Sequence, residues 1–129
     1  MMTRDEIFNK VRTLLVDALV VDEEGVNMQS RLTTDLGAES IDFLDIVFRL
    51  SQVFGITIGQ GELFPENPAQ QADMVKDGKV TAGGLTMLKS KLPHVDFAAF
   101  EKDPSVKRVG ELFTVEAVVN FVERKLATK

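Results

Sequence analysis

The chain has 129 residues with 20 acidic and 15 basic side chains, a formal net charge of −5, and no cysteine, tyrosine or tryptophan. This length suits a single domain, and the acidic balance disfavours nucleic acid as a partner and favours a basic protein surface. The residue list offers no thiolate, no nucleophile–base pair and no metal-binding cluster, so we expect no catalytic residues, no metal site and no enzymatic activity.

The first segment predicts an amphipathic helix from about residue 4 to residue 20. Thr3 is expected at its N-cap, because Thr3 and Glu6 have the spacing of a capping box. Behind them, apolar residues recur at helical spacing: Ile7, Val11, Leu14, Leu15, Ala18 and Leu19. The charged start shows no signal-peptide pattern, and no apolar run approaches the ~20 residues that span a bilayer. We therefore expect a cytoplasmic protein with no transmembrane segment.

A long loop and a second helix follow. Leu32 and Leu36 are expected to hold the loop on the core. The helix is predicted to begin at Ser40 or Ile41 and to end at Gly55, which can adopt φ > 0. Its apolar face is expected to comprise Ile41, Leu44, Val47, Phe48 and Phe54, with Ile46, Leu50 and Val53 beside it. Such width predicts burial on more than one side, or an apolar surface for a partner or a guest.

Residues 59–110 contain seven acidic and seven basic side chains, so the net charge of the chain resides outside them. Large apolar residues in this segment argue against a disordered linker. Two short helices are predicted here, with Thr81 capping one that bears Leu85, Leu88 and Leu92, and Asp96 capping one that bears Phe97 and Phe100. His94 follows Leu92-Pro93 in a predicted turn, where we expect an ordinary surface residue.

The last predicted helix begins at Phe113-Thr114-Val115-Glu116, with Thr114 at its N-cap. Its apolar stripe consists of Val115, Val118, Val119 and Val122. Arg124 and Lys125 complement the helix dipole at the C-terminal end. The chain as a whole therefore predicts an all-α fold in which three long helices are accompanied by short ones.

The loop before the second helix carries the motif Asp35-Leu36-Gly37-Ala38-Glu39-Ser40-Ile41-Asp42. A hydroxyl between a glycine-bearing loop and a helix N-terminus is exposed, and backbone N–H groups there can hold a phosphate. Alternatively, Ser40 only caps the helix by accepting the N2 or N3 amide, a contact worth about 1 kcal/mol. The motif by itself leaves both interpretations open.

The motif resembles the cofactor-attachment motif of acyl carrier proteins. Residues 3–58 and 109–127 are similar to that family in the order of their helices and in Val53-Phe54-Gly55-Ile56 and Leu112-Phe113-Thr114-Val115. The resemblance implies a single domain over residues 1–129, an acyl-carrier-like bundle enlarged by a helical insertion at about 59–108. It also implies that Ser40 carries 4′-phosphopantetheine, which a phosphopantetheinyl transferase attaches from coenzyme A with Mg²⁺. The thiol of that group would hold acyl groups as thioesters for lipid or fatty-acid-derived biosynthesis.

The resemblance also implies a role for the residues around Ser40. Gly37, Ile41 and Asp42 are expected beside the prosthetic group, with its phosphate next to the amides of Ile41 and Asp42. Glu39, Asp42 and Asp45 are expected to guide partner enzymes, such as an acyl-ACP synthetase, a ketosynthase or an acyltransferase. Stabilisation of the helix dipole is the alternative role for these acids.

Leu44, Phe48 and Ile56 are expected to shelter the acyl chain or to contact a partner, with simple core packing as the alternative. The family usually has Asp-Ser-Leu where this chain has Glu39-Ser40-Ile41, and Arg49 reduces the net charge of residues 39–54 to −2. Both departures leave modification expected, but they change the surface that a partner meets.

The insertion allows three interpretations. It completes the core as an added surface layer, or it selects a dedicated partner, or it extends the apolar space for a long or modified acyl chain. The last is suggested by its large apolar residues, which are Phe64, Met74, Met87, Phe97 and Phe100. We expect a monomer. The alternative functions are an aminoacyl or polyketide carrier and an unmodified helical interaction module.

Overall fold

The computed structural model describes residues 2–59, 62–63, 75–105 and 112–127, apart from the side chains of Ser40, Val75 and Lys91. Phe64 and Met74 lie outside these residues. The elements in chain order are α1 (Arg4–Leu19), a 3₁₀ turn (Glu23–Gly25), α2 (Ser40–Phe54), β1 (Val75–Lys76), β2 (Lys79–Val80), α3 (Ala82–Lys91), α4 (Ala98–Lys102) and α5 (Val115–Ala127). The prediction of an all-α, carrier-like bundle is confirmed.

Helix α1 is the centre of the bundle, since it packs against both α2 and α5. It begins where the capping box predicts, with the Thr3 side chain accepting a hydrogen bond from the Glu6 N–H at 3.2 Å. Its predicted stripe is buried at Ile7, Val11, Leu14 and Leu15. It ends at Val20, which adopts a left-handed conformation (φ 53°) with its side chain 89% exposed.

The loop between α1 and α2 is held against the start of α5. Leu32 and Leu36 are both buried, as predicted. The Leu32 N–H donates to the Phe113 carbonyl at 2.9 Å, and the Val115 N–H donates to the Ser30 carbonyl at 2.9 Å. These contacts fix the loop where it leads into α2, and therefore position the motif that ends at Ser40.

Helix α2 buries only part of the apolar face that the sequence predicts, together with part of the row beside it. Ile46, Leu50 and Phe54 are buried, whereas Ile41, Leu44, Phe48 and Val53 are 72%, 75%, 63% and 46% exposed. Core packing is therefore the wrong alternative for Leu44 and Phe48. The predicted end at Gly55 is confirmed, with φ at 62°.

The insertion contributes to the core through α3 and α4. Thr81 caps α3 as predicted, its side chain accepting a hydrogen bond from the Gly84 N–H at 3.0 Å. The apolar residues that these helices bury are Leu88, Leu92, Phe97 and Phe100. Helix α4 starts one residue later than predicted, because Phe97 occupies the N-cap while Asp96 accepts the Ala98 N–H at 3.0 Å.

A short hairpin precedes α3 and was not predicted. β1 and β2 pair antiparallel around Asp77 and Gly78, whose φ angles are 54° and 76°. Positive φ at both central residues matches a two-residue hairpin turn, for which Asp-Gly is a favoured sequence. The signal was therefore present in Lys76-Asp77-Gly78-Lys79.

The expectation that His94 is a surface residue is wrong. The turn after Pro93 folds onto α5, leaving His94 only 4% exposed, with its ring edge-on to Phe121 at 5.1 Å. Its Nε2 lies 3.1 Å from the Leu63 carbonyl oxygen. Burial lowers the pKa of His94, and the positive charge of Arg124 acts in the same direction, while the Leu63 carbonyl opposes the shift.

Candidate functional site

Helix α2 begins at Ser40 with Glu39 as its N-cap residue. The Glu39 N–H donates to the Asp42 carboxylate at 2.8 Å, and the Asp42 N–H donates to the Glu39 carbonyl at 2.9 Å. The interpretation of Ser40 as the N-cap is therefore wrong, because Ser40 is the first helical residue. Its side chain lies outside the described residues. Glu39 and Asp42 organise the first turn of the helix through these hydrogen bonds.

The approach to Ser40 is a tight loop that depends on Asp35 and Gly37. The Asp35 carboxylate accepts the Arg31 N–H at 2.7 Å, and the Ala38 N–H donates to the Leu32 carbonyl at 2.8 Å. Gly37 is in the left-handed region, with φ at 72° and no atom within 4 Å of the position that a Cβ would take. The loop therefore turns at Gly37 and leaves open space beside it, immediately before the start of α2.

The acidic residues of this region differ in their surroundings. Glu39 is exposed, whereas Asp42 and Asp45 are half-buried on α2. Asp45 accepts a hydrogen bond from Arg49 Nε at 3.0 Å, one helical turn further along. This solvent-accessible pair contributes little to stability. It partly neutralises the charge of Asp45, so Glu39 and Asp42 carry most of the negative charge at the start of α2.

The exposed apolar side chains of α2 form a row that starts beside Ser40. Ile41, Leu44 and Phe48 are spaced i, i+3 and i+7, and such residues share one face of a helix. Ile56, the third residue expected to contact an acyl chain or a partner, is buried at 8% exposure and lies in the core. Large apolar side chains grouped on a surface mark an interaction site. Val53 shares this exposure, although the sequence suggested only that it lies beside the core stripe.

The surroundings of Ser40 fit a covalently tethered phosphate group. The N-terminus of this 15-residue helix supplies a positive dipole end and backbone N–H groups that have no acceptor within the helix. The neighbours Glu39 and Ile41 are exposed, and the space beside Gly37 is open. A tether can therefore leave this position without displacing the core.

Comparisons with known proteins agree with this geometry. A family model described as "Phosphopantetheine attachment site" matches residues 9–70. The acyl carrier protein of Petrotoga mobilis is 42% identical over 62 residues, which make up 48% of this chain and 73% of that protein. The chain belongs to the acyl carrier protein family.

Other members of the family are also similar. The acyl carrier protein of Thermotoga maritima is 38% identical over 63 residues, which are 49% of this chain and 78% of that protein. The acyl carrier protein AcpXL of Rhizobium meliloti is 33% identical over 90 residues, which are 69% of this chain and 85% of that protein.

Membership has direct consequences for this acyl carrier protein. It is a carrier rather than an enzyme, and its prosthetic group is covalently attached 4′-phosphopantetheine. The family implies interaction with a phosphopantetheinyl transferase and with enzymes that handle acyl groups. In the part of the chain that the structure describes, no helix has the length and apolar character needed to cross a membrane.

Proposed function

We propose that Ser40 is the residue that carries 4′-phosphopantetheine, and that the protein carries acyl groups for lipid or fatty-acid-derived biosynthesis. The observation that carries the proposal is the position of Ser40 as the first residue of α2, flanked by exposed Glu39 and Ile41. The open turn at Gly37 supports it, because a transferase must reach the hydroxyl.

In the attachment reaction, the hydroxyl of Ser40 would lose its proton to solvent and its oxygen would bond to the β-phosphorus of coenzyme A, while the bond from that phosphorus to the bridging oxygen breaks and the nucleotide half leaves with that oxygen. Gly37, Ile41 and Asp42 border the attached group. The Ile41 N–H faces the phosphate at the positive end of α2, whereas the Asp42 N–H is shared with the Glu39 carbonyl. When bound, the prosthetic group supplies a thiol that holds acyl groups as thioesters.

Partner enzymes meet the exposed side of α2. Glu39, Asp42 and Asp45 provide negative charge for a basic partner surface, and Leu44 and Phe48 provide apolar contacts. Because Arg49 pairs with Asp45, charge contributes less to this docking than three free acids would. Ile56 is buried, so its contacts lie in the core. There it packs beneath the end of α2 and would contact an acyl chain that enters the bundle at that point.

We assign residues 1–129 to one domain, with a framework of 3–58 and 109–127 and an insertion at about 59–108. Support comes from the core, where Phe97 and Phe100 are buried in the same hydrophobic cluster as Val118. The two rings contact each other edge to face, with centroids 6.4 Å apart. Since both rings already have partners, completing the core is the better-supported role for the described part of the insertion. We also propose that the protein is a monomer and that it is located in the cytoplasm.

The test is loading in vitro with coenzyme A and a broad-specificity phosphopantetheinyl transferase, followed by intact-mass measurement. The wild type should gain the mass of one phosphopantetheine group, and Ser40→Ala should gain nothing while keeping its circular dichroism spectrum. Ser51→Ala is the matched control, because Ser51 also lies on α2, with its hydroxyl bonded to the Phe48 carbonyl at 2.7 Å. A mass gain on Ser40→Ala would refute the assignment.

Identifying the group attached to protein from native cells distinguishes acyl from aminoacyl or polyketide cargo.

A further inference from the structure

A cavity of about 550 Å³ lies where the insertion meets α5. Its volume falls in the range typical of small-molecule sites, which is about 300–1,000 Å³. The insertion and α5 each supply half of its lining residues, which are Glu62, Ser90, Pro93 and His94 from the insertion and Phe121, Arg124, Lys125 and Ala127 from α5. None of these residues belongs to the site around Ser40, so the carrier function described above leaves this cavity without a role.

His94 brings to this cavity a buried ring whose second nitrogen has no hydrogen-bond donor. The ring is 4% exposed and lies against Phe121, which also lines the cavity. A carbonyl oxygen only accepts hydrogen bonds, so Nε2, at 3.1 Å from the Leu63 carbonyl oxygen, carries the proton of the neutral ring. Nδ1 is therefore an acceptor, and nothing in the described part of the chain donates to it. An acceptor on a buried ring that lacks a donor is unfavourable, and a ligand O–H group would satisfy it.

The cavity also has an excess of positive charge, although the chain as a whole is acidic. Lys125 forms an ion pair with Glu62 at 2.6 Å, so these two charges compensate each other. Arg124 is exposed and has no acidic partner among the described residues. Ser90 is likewise exposed, and its hydroxyl makes no hydrogen bond to any residue that the structure describes. An anion in the cavity would therefore meet a guanidinium and a hydroxyl that are both available for binding.

This set of groups matches a phosphate monoester better than a carboxylate. Arginine binds two phosphate oxygens through N–H groups held in a fixed fork, and a third oxygen remains for Ser90 or His94. Phosphate monoesters lose their second proton at a pKa of about 6, close to the ordinary histidine pKa of about 6.5. A phosphate oxygen can therefore share one proton with Nδ1 near neutral pH, whereas a carboxylate, with a pKa of about 4, has already lost its proton. Phe121 and Pro93 offer apolar surface to the organic part of the ester.

We propose that the cavity between the insertion and α5 binds a phosphate monoester, with Arg124 and Ser90 donating to its oxygens and His94 Nδ1 sharing one proton with it. The proposal goes beyond the carrier function and does not depend on Ser40. Above about pH 7 the free ester is a dianion and the free His94 ring is neutral, so binding takes up one proton. The affinity should therefore fall as the pH rises.

Other charged residues also face His94. Those that share a cavity with it are Glu62, Arg124 and Lys125 on one side and Arg31, Asp96 and Glu116 on the other. Ordinary carboxyl, lysine and arginine pKa values lie well outside the range from about pH 7 to 8.5. A proton taken up in this range therefore belongs to His94 and the ligand.

The test is isothermal titration calorimetry of phenyl phosphate into the full-length protein carrying its prosthetic group. Measurements at about pH 7.5 in two buffers with different ionisation enthalpies should show the uptake of about one proton per ligand. The dissociation constant should rise by up to about tenfold per pH unit from about pH 7 to 8.5. Phenyl sulfate, which has no proton to share, should bind about tenfold more weakly than phenyl phosphate.

A pair of variants locates the site. Arg124→Gln should weaken the binding of phenyl phosphate by about tenfold, because a charge-assisted hydrogen bond is lost. Lys10→Gln is the matched control, since it removes the same charge from an exposed residue that does not line the cavity. It should change the affinity by less than about twofold, because salt screens distant charges.

Several outcomes would overturn the inference. Absence of binding, or equal losses in Arg124→Gln and Lys10→Gln, would exclude the cavity as the site. Binding without proton uptake, or equal affinity for phenyl sulfate, would contradict the role of His94. If Arg124 only stabilises the C-terminal end of α5, Arg124→Gln will lower the free energy of unfolding without weakening binding, and the proposal fails. None of these results bears on loading at Ser40, which the mass measurement tests separately.

Discussion

Lowering the pH through about 6.5 should destabilise this acyl carrier protein through His94. The side chain is buried against Phe121 of α5, and burial lowers its pKa below the ordinary value of 6.5. Between the two pKa values, His94 is therefore protonated in the unfolded chain and neutral in the folded chain. Stability contributed by neutral His94 is fully present above the unfolded-state pKa, and it is lost as the pH falls towards the folded-state pKa.

The size of the effect follows from proton counting. His94 is the only histidine in the chain, and ordinary carboxyl and lysine pKa values lie well outside the range between about pH 5.5 and 7.5. Glu62 does not enter this window: burial would raise its pKa, but the hydrogen bond and charge of Lys125 and the Gly59 N–H together lower it from 4.5. One proton released on folding corresponds to a slope of at most about 1.4 kcal/mol per pH unit.

The measurement is urea unfolding of the wild type and of His94→Gln at several pH values from about 7.5 to 5.5. Glutamine retains a donor for the Leu63 carbonyl, which lies 3.1 Å from His94 Nε2, but it does not titrate. The wild type should lose stability with decreasing pH in this range, whereas His94→Gln should show a nearly constant free energy of unfolding. Equal slopes for the two proteins would refute the reasoning, whatever their absolute stabilities.

Three further substitutions test the fold by urea unfolding at about pH 7.5. Gly37→Ala should lower the free energy of unfolding by about 1–2 kcal/mol, because φ at Gly37 is 72°. Gly25→Ala is the control: a Cβ there also meets no other atom, but φ is not positive, so the protein should not be destabilised. Equal losses for the two variants would disprove a conformational cause. Thr81→Ala should cost about 1 kcal/mol, since the Gly84 N–H loses its acceptor, and an unchanged midpoint would argue against that cap. Phe100→Ala should cost about 3–5 kcal/mol, and a loss below about 1 kcal/mol would show that the insertion packs loosely.

The starts of α1, α3 and α5 could be predicted from the sequence because their signals are local. Thr3, Thr81 and Thr114 each accept the backbone N–H three residues later, as a capping threonine does. The motif around Ser40 is also local, because Gly37 and the start of α2 lie close together in the sequence. What a residue contributes to its own turn can be judged from its immediate neighbours.

The surroundings of His94 could not be predicted in this way. They depend on Leu63, on Phe121 and on Asn120, whose side chain donates to the His94 carbonyl at 3.2 Å. These residues lie 26 to 31 positions away along the chain. No local sequence pattern predicts such contacts, because the fold, rather than their spacing in the sequence, brings these residues together. The hairpin at Asp77-Gly78 is the opposite case, because the sequence itself carries a local signal for its turn.

Helix α2 shows why its buried face could not be separated from its functional face before the structure. Nine of its 15 residues are apolar, so helical periodicity identifies no unique stripe. The structure buries Ile46, Leu50 and Phe54 and leaves Ile41, Leu44 and Phe48 exposed. Burying a side chain of this size typically stabilises a fold by about 1.5–3 kcal/mol, and the exposed residues forgo that gain. Their row starts at the residue after Ser40, so under the proposed function an apolar acyl chain or partner at this end of α2 accounts for their position, whereas stability of the bundle does not.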